Sequence, residues 1–266
     1  MSKTPLVSVI TAAYNSEATI GRMLKSLADQ SNTDFESIVI DGASTDRTPE
    51  IVSEYKGLVH RFFSEPDEGI YHAMNKGIAL ARGEYIAFLN SDDAYLPHTI
   101  EAVSQAAGTA DILYGNIRKE RVLDGDTLSR IEKPALDRMP HTMGIFHPAT
   151  FISRQLFEKH GGYDLRFKLA ADYHWLLRAY LDRNLFEYID RELAVFSTGG
   201  ISNLSCESYR EAAEIQREMN LSHHPEMLRE YDRCLAKAKK QRIIAMFARL
   251  PIFRSVYKSM VKKRWS

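Results

Sequence analysis

Short β-rich apolar runs alternate with amphipathic helical patterns from Leu6 to Ala107, and this alternation restricts the chain to an α/β fold with a mostly parallel central sheet. Leu6–Thr11 reads as a first strand. Asn15 or Ser16 can cap the helix that follows, in which Ile20, Met23, Leu24 and Leu27 recur at helical spacing. Glu36–Ile40 is the second strand. Thr48 and Pro49 then read as an N-cap with proline at the first helical position. Leu58–Phe63 is a third strand and Ile70–Ala81 a helix; Tyr85–Leu89 is a fourth strand and Pro97–Ala107 a further helix. In sheets of this kind ligands sit at the carboxyl ends of the strands.

The second half is less regular. Ile112–Tyr114 reads as a strand, residues 117–133 as a charged hairpin around Asp124-Gly125, and Asp172–Asp182 as a helix. Phe186–Ile189 and Leu193–Phe196 read as two short strands and Ser205–Met219 as a helix. The expected organisation is one domain over residues 1–220 and a basic, amphipathic helical tail over 221–266.

Charge supports that division. Residues 233–266 carry eleven Lys or Arg and no acid, whereas residues 1–232 carry 24 basic and 35 acidic side chains, a net of −11. In the tail, Ile243, Phe247 and Leu250 share one helical face, and Phe253, Tyr257, Met260 and Val261 form a second stripe after Pro251. That pattern suits an interfacial helix on an anionic membrane surface, at the inner face of the cytoplasmic membrane. An acidic body argues against a nucleic-acid partner. No apolar run reaches the length of a membrane span, and the start of the chain reads as a strand rather than a secretory leader. Cys206 and Cys234 suggest no disulfide framework; a reducing cytoplasm with two idle or buried thiols fits them.

Polar residues cluster immediately after the expected strands: Tyr14-Asn15 after the first, Asp41 through Asp46 after the second, and Asn90-Ser91-Asp92-Asp93 after the fourth. Asp, Asn and Ser are common in turns, but three clusters at equivalent strand ends converge on one crevice. The chain lacks a Gly-x-Gly-x-x-Gly fingerprint and a phosphate loop. A diphosphate bound here therefore needs another partner. A hard divalent cation, held by Asp92 or Asp93 and by the ligand's own phosphate oxygens, would serve, and would also stabilise charge on a departing diphosphate.

Three segments resemble family 2 glycosyltransferases of the GT-A fold: Ser8-Val9-Ile10-Thr11-Ala12-Ala13-Tyr14-Asn15, Ile40-Asp41-Gly42-Ala43-Ser44-Thr45-Asp46 and Phe88-Leu89-Asn90-Ser91-Asp92-Asp93. Residues 64–77, Ser64-Glu65-Pro66-Asp67-Glu68-Gly69-Ile70-Tyr71-His72-Ala73-Met74-Asn75-Lys76-Gly77, are similar to the subgroup that builds bacterial surface polysaccharides of the colanic-acid type. The resemblance implies an inverting transfer of a sugar from a nucleotide-diphosphate donor, a UDP-sugar, to a glycan or lipid-linked acceptor. It implies that Thr11, Ala12, Tyr14, Asp41, Asp67, Asn90, Ser91 and Asp92 form the donor site. Asp41 would accept a hydrogen bond from the base, Asp92 would bind Mn²⁺ or Mg²⁺, and Asp172 would be the catalytic base. Asp93, Lys76, His147 and Gly200 are further candidates. Asn90 stands where the family has the first metal-motif aspartate, Met74 where many relatives carry a diphosphate-binding arginine, and Ala171 where an acidic residue usually precedes the base. A sugar-phosphate nucleotidyltransferase is a competing reading, but Thr11–Asn15 has no glycine-rich, lysine-bearing loop. A catalytically weak, nucleotide-sugar-binding scaffold is another.

Overall fold

The computed structural model describes residues 4–123, 126–198 and 206–247. Among these, the strands are β1 (Val7–Ala13), β2 (Phe35–Asp41), β3 (Val59–Ser64), β4 (Tyr85–Phe88), β5 (Ala94–Tyr95), β6 (Ile112–Leu123), β7 (Asp126–Glu132), β8 (Thr150–Ser153) and β9 (Phe186–Ser197). The helices are α1 (Ile20–Ala28), α2 (Thr48–Glu54), α3 (Ile70–Leu80), α4 (Thr99–Ala106), α5 (Arg154–His160), α6 (Ala171–Leu181), α7 (Glu207–Glu218) and α8 (His224–Phe247). One sheet runs β3-β2-β1-β4-β8-β6-β9-β5, with β7 paired to β6. It is parallel from β3 to β4; β8 is antiparallel to both its neighbours, and β6 and β9 are again parallel.

β1, β2 and β4 are buried at every position because both faces are covered, whereas the edge strand β3 is largely exposed. Side chains of a strand alternate between faces. Ile10, Ile38, Ile40, Ile86 and Phe88 join one core with Met74, Trp175, Leu176 and Ile215 of the helices α3, α6 and α7. Val7, Val9, Val39, Ala87 and Leu89 join the other, with Ile20, Met23, Leu24, Leu27, Ile100 and Val103 of α1 and α4. The helical stripe expected for α1 is thus its buried face. Each such fully buried side chain is worth about 1.5–3 kcal/mol relative to exposure. α3 lies so close to β1 that a Cβ at Gly77 would stand 2.3 Å from Ile10 Cγ2.

Several elements differ from expectation. The two short strands expected at 186–196 are one strand, β9, whose pairing with β6 is irregular around Gly115 and Asn116. Gly115 allows this, because a Cβ there would meet Leu193 Cδ1 at 2.5 Å. β6 and β7 form the expected charged hairpin, with Leu123 opposite Asp126. β5, β8 and α5 have no counterpart in the sequence reading; β8 is four residues long, too short to carry a period of its own.

The reading of two unpaired thiols is corrected: Cys206 and Cys234 form a disulfide, S–S 2.09 Å, across 28 residues of sequence. Two lone cysteines carry no pairing signal; the antiparallel arrangement of α7 and α8 is what brings them together. Met227 of α8 is also in the first core. The tail stripe beyond Phe247 lies outside the described residues. Among the described residues no helix is long and apolar enough to cross a membrane.

Candidate active site

The loops leaving β1, β2 and β4 are tied to one another by short polar side chains. Asn15 N–H donates to Ser44 Oγ (2.7 Å), Thr45 N–H donates to Asn15 Oδ1 (2.9 Å), and Ser16 Oγ meets Ser91 Oγ at 2.8 Å. Two residues here hold left-handed backbone, Asn15 (φ 46°) and Ala43 (φ 60°). An alanine gains nothing from that conformation, and such strain persists where surrounding contacts impose it, commonly at functional sites. Asp41, wholly buried at the end of β2, imposes much of it. Its carboxylate accepts hydrogen bonds from Ser44 N–H (3.0 Å), Ser44 Oγ and Ser64 Oγ (2.6 Å). Asp67 folds over the same loop: a Cβ at Gly42 would stand 2.7 Å from Asp67 Oδ2, so only glycine lets the two approach. Thr11 is wholly buried with its hydroxyl turned to Met23 Sδ, away from the expected donor site, while Tyr14 is exposed.

The segment Asn90–Asp93 behaves differently. Asn90 Oδ1 and Asp93 Oδ2 are buried and have no hydrogen-bond partner, and Asp92 carries no ion pair among the described residues. Burial raises the Asp92 carboxyl, and burial together with the neighbouring Asp92 charge pushes Asp93 up to about 8. Arg22, from α1, braces this segment. It donates to the Asp92 carbonyl (2.6 Å) and to Ser197 Oγ and pairs with Glu120 (3.4 Å), while Ser197 N–H reaches Asp93 Oδ1 (3.0 Å). Unpartnered buried oxygens beside carboxyls raised by burial fit a hard divalent cation, which would satisfy the oxygens and favour ionisation. Asp92, with Asn90 Oδ1, would hold it.

Asp172 is the second position of α6, after Ala170 at the N-cap, so it is not the capping residue. Its Oδ1 accepts from Tyr71 Oη (2.8 Å) and Tyr173 N–H (2.8 Å). Its Oδ2 accepts no hydrogen bond among the described residues. One oxygen is therefore oriented and the other unengaged. Burial and the Asp172 charge keep the Tyr71 and Tyr163 hydroxyls protonated, their acidities pushed well above the ordinary tyrosine value. His147 stacks on Phe88 at 5.0 Å, and its Nε2 meets Tyr163 Oη at 2.8 Å. Burial lowers its basicity against the opposing pull of Asp172. His147 thus links the end of β4 to Asp172 through Tyr163 and Tyr71. The helix start is fixed from α7: Glu211 is buried and accepts the N–H groups of Lys168, Leu169 and Ala170 (3.0, 2.8 and 2.9 Å).

The structure therefore gathers Tyr14, Asp41, Asp67, Ser91 and Asn90–Asp93 along the carboxyl edge, with Asp172 joined to it through Tyr71, Tyr163, His147 and Phe88. Lys76 is turned to Glu65 (2.7 Å). Met74 is buried in the core. Gly200 lies outside the described residues. Tyr71, Arg22 and Glu211 were not singled out from the sequence. Tyr71 and Asp172 are 101 residues apart, a distance no local pattern spans.

Polar loops at the carboxyl edge of a parallel sheet, with a separate carboxylate facing them from a helix start, define the GT-A class of nucleotide-sugar transferases. The family described as "Glycosyl transferase family 2" matches residues 8–161. A "PGL/p-HBAD biosynthesis glycosyltransferase" of Mycobacterium bovis is 32% identical over 213 residues, covering 75% of this chain and 80% of the relative. The chain belongs to glycosyltransferase family 2. Its fold is similar to that of Staphylococcus aureus TarS in complex with UDP-GlcNAc (TM-score 0.65, 23% identity, 85% of this chain and 71% of that one). It is also similar to the mannosyltransferase PcManGT of Pyrobaculum calidifontis in complex with GDP-Man and Mn²⁺ (TM-score 0.62, 19% identity, 98% and 85% covered).

Proposed function

We propose that this glycosyltransferase moves a sugar from a UDP donor with inversion at the anomeric carbon, and that Asp172 is its general base. The observation that carries the reading is the division of labour between Asp172 and the side-chain oxygens of Asn90 and Asp93. Asp172 has one oxygen fixed by Tyr71 and one unengaged, while Asn90 and Asp93 present buried oxygens without partners. An acceptor hydroxyl would give its proton to Asp172 Oδ2 as its oxygen attacks the anomeric carbon and the bond to the diphosphate breaks. One base and one displacement invert the centre. A divalent cation at Asp92 would supply the positive charge that a departing diphosphate requires. Asp41 and Asp67 shape the loop against which the base and ribose would lie. The solved complexes of TarS with UDP-GlcNAc and of PcManGT with GDP-Man and Mn²⁺ support a nucleotide-sugar donor and a divalent ion.

The acceptor on this reading is a glycan or lipid-linked oligosaccharide of bacterial surface polysaccharide synthesis. The enzyme would work at the cytoplasmic face of the membrane, held by the basic segment within 221–266. There the Cys206–Cys234 bond would meet a reducing pool. The α7–α8 pair has a second attachment, since Ile215 and Met227 share the core. Flotation with anionic liposomes at low and high salt, comparing the intact chain with a truncation after Asp232, tests the anchor: salt-sensitive flotation of the intact chain alone supports it. The catalytic reading is tested by incubating the purified protein with UDP-sugars, Mn²⁺ and lipid-linked acceptors and reading the product anomer by NMR. Inversion supports it and retention overturns it.

A further inference from the structure

A second cluster of metal-ligating side chains lies away from the donor edge. His141, His223 and Glu226 each offer one ligand atom, and these atoms lie within 4.8 Å of one another. His223 immediately precedes α8 and Glu226 lies in its first turn, three residues on, a spacing that puts both on one side of a helical turn, and Glu226 N–H bonds the His223 carbonyl (2.9 Å). His141 reaches them from the loop after the 3-10 turn Leu136–Arg138. The two imidazoles pack with centroids 3.7 Å apart and planes tilted by 41°, and His141 Nδ1 is 3.8 Å from Glu226 Oε2. Neither ring makes a hydrogen bond among the described residues. Two imidazoles and a carboxylate drawn together without hydrogen bonds lack only the centre they would share.

We propose that His141, His223 and Glu226 bind one dication of the zinc class, separate from the donor site, and that this ion fastens α8 to the loop carrying His141. The chemistry distinguishes the two sites. Imidazole nitrogen suits zinc, copper and nickel, whereas the amide and carboxylate oxygens of Asn90 and Asp92 suit magnesium and manganese. Tetrahedral zinc with bonds of about 2.0–2.2 Å needs ligand atoms about 3.3–3.5 Å apart, so small side-chain rotations close the site. Three protein ligands leave a position for water or an anionic group. His141 and Glu226 also line a cavity of about 510 Å³ into which Asp137, Tyr209 and Glu230 face. The site has a structural connection to the base. Gln216 Nε2 donates both to the His141 carbonyl and to Tyr173 Oη (2.9 Å each), and Tyr173 follows Asp172 in α6.

The test uses the full chain, stripped of metal with a chelator and titrated with zinc chloride alone by calorimetry. One saturable equivalent is expected, with a rise in melting temperature as it fills. His141→Ala and His223→Ala should each lower zinc affinity by more than the roughly 10–100-fold that loss of an outer-shell partner costs. Asp92→Ala should leave zinc binding unchanged. Cobalt(II) in the unaltered chain supplies a readout independent of any variant: a tetrahedral visible spectrum that zinc displaces. Absence of saturable binding, binding indifferent to both histidines, or binding lost in Asp92→Ala would each overturn the site.

Discussion

Glu36 and Asp41 are five residues apart on one strand, both are buried, and they are served in opposite ways. Glu36, at the amino end of β2, accepts from Ser8 Oγ (2.6 Å) and from Arg82 N–H, Nε and Nη2 (2.7, 3.0 and 2.7 Å). Burial works against its ionisation, but these hydrogen bonds outweigh it and hold the carboxyl below its ordinary value. Asp41, at the carboxyl end, has hydrogen bonds from neutral groups and no cation partner among the described residues. Asp172 likewise accepts only from neutral groups; at Asp92 the Arg22 guanidinium bonds the carbonyl rather than the carboxylate, and Asp93 has a buried oxygen with no partner. One end of the sheet is closed electrostatically by its own arginine. The other is an acidic rim where Arg22 is engaged by the Asp92 carbonyl, Ser197 and Glu120, so that a cation would ease the approach of an anionic diphosphate. On the proposed reading, stability resides at the first end and donor binding at the second.

The largest effect expected is at the rim. Asp172→Asn should reduce transfer by about a hundredfold to ten-thousandfold. Melting temperature should hardly move, since an amide oxygen can still accept from Tyr71. A rate within a few-fold of the parent would shift the role to another group, with His147 first in line. Next comes the closed end. Glu36→Gln should cost about 3 kcal/mol in stability, the low end for a broken buried pair because Arg82 is half exposed, and leave nucleotide affinity intact. Its pH signature has a fixed sign. A depressed carboxyl stabilises fully above the unfolded value of 4.5, and the contribution is lost as pH falls through the lower folded value. Denaturant melts of parent and variant should converge in acid.

Asp41→Asn is the matched experiment on the same strand. It should weaken UDP binding by about 1–3 kcal/mol while changing stability far less than Glu36→Gln. Equal destabilisation by the two would erase the distinction between the ends. The smallest effect is expected at Glu211. Glu211→Gln removes an acceptor from one of three amide donors ahead of α6 and should cost about 1 kcal/mol. As a positioning change it should lower kcat with little change in donor KM; a purely structural role would lower Tm and leave kcat of the folded fraction intact.

The closed end and the rim were unequally legible in the sequence. β1, β2, β4 and the buried face of α1 followed from β-rich runs and from helical spacing of Ile20, Met23, Leu24 and Leu27. Clusters after strands marked the rim, because turns at the carboxyl end of a parallel sheet share one crevice. Asp172 was identified only through family resemblance; nothing local separates it from an ordinary helix-start aspartate. Tyr71, Glu211 and the Cys206–Cys234 bond depend on contacts between distant segments, and Glu36 with Arg82 looks like two unrelated surface charges until β2 is paired with β1. Short β8 escaped because four residues between stronger elements show no period.

The central claim is that the rim binds a nucleotide diphosphate through a cation held at Asp92. Calorimetry of UDP binding with and without Mn²⁺, on the parent and on Asp92→Ala, tests it directly. The account predicts that Mn²⁺ strengthens UDP binding to the parent and that Asp92→Ala abolishes this gain while its metal-free binding stays near that of the metal-free parent. Metal-independent UDP affinity in the parent, or an undiminished Mn²⁺ effect in Asp92→Ala, would contradict it.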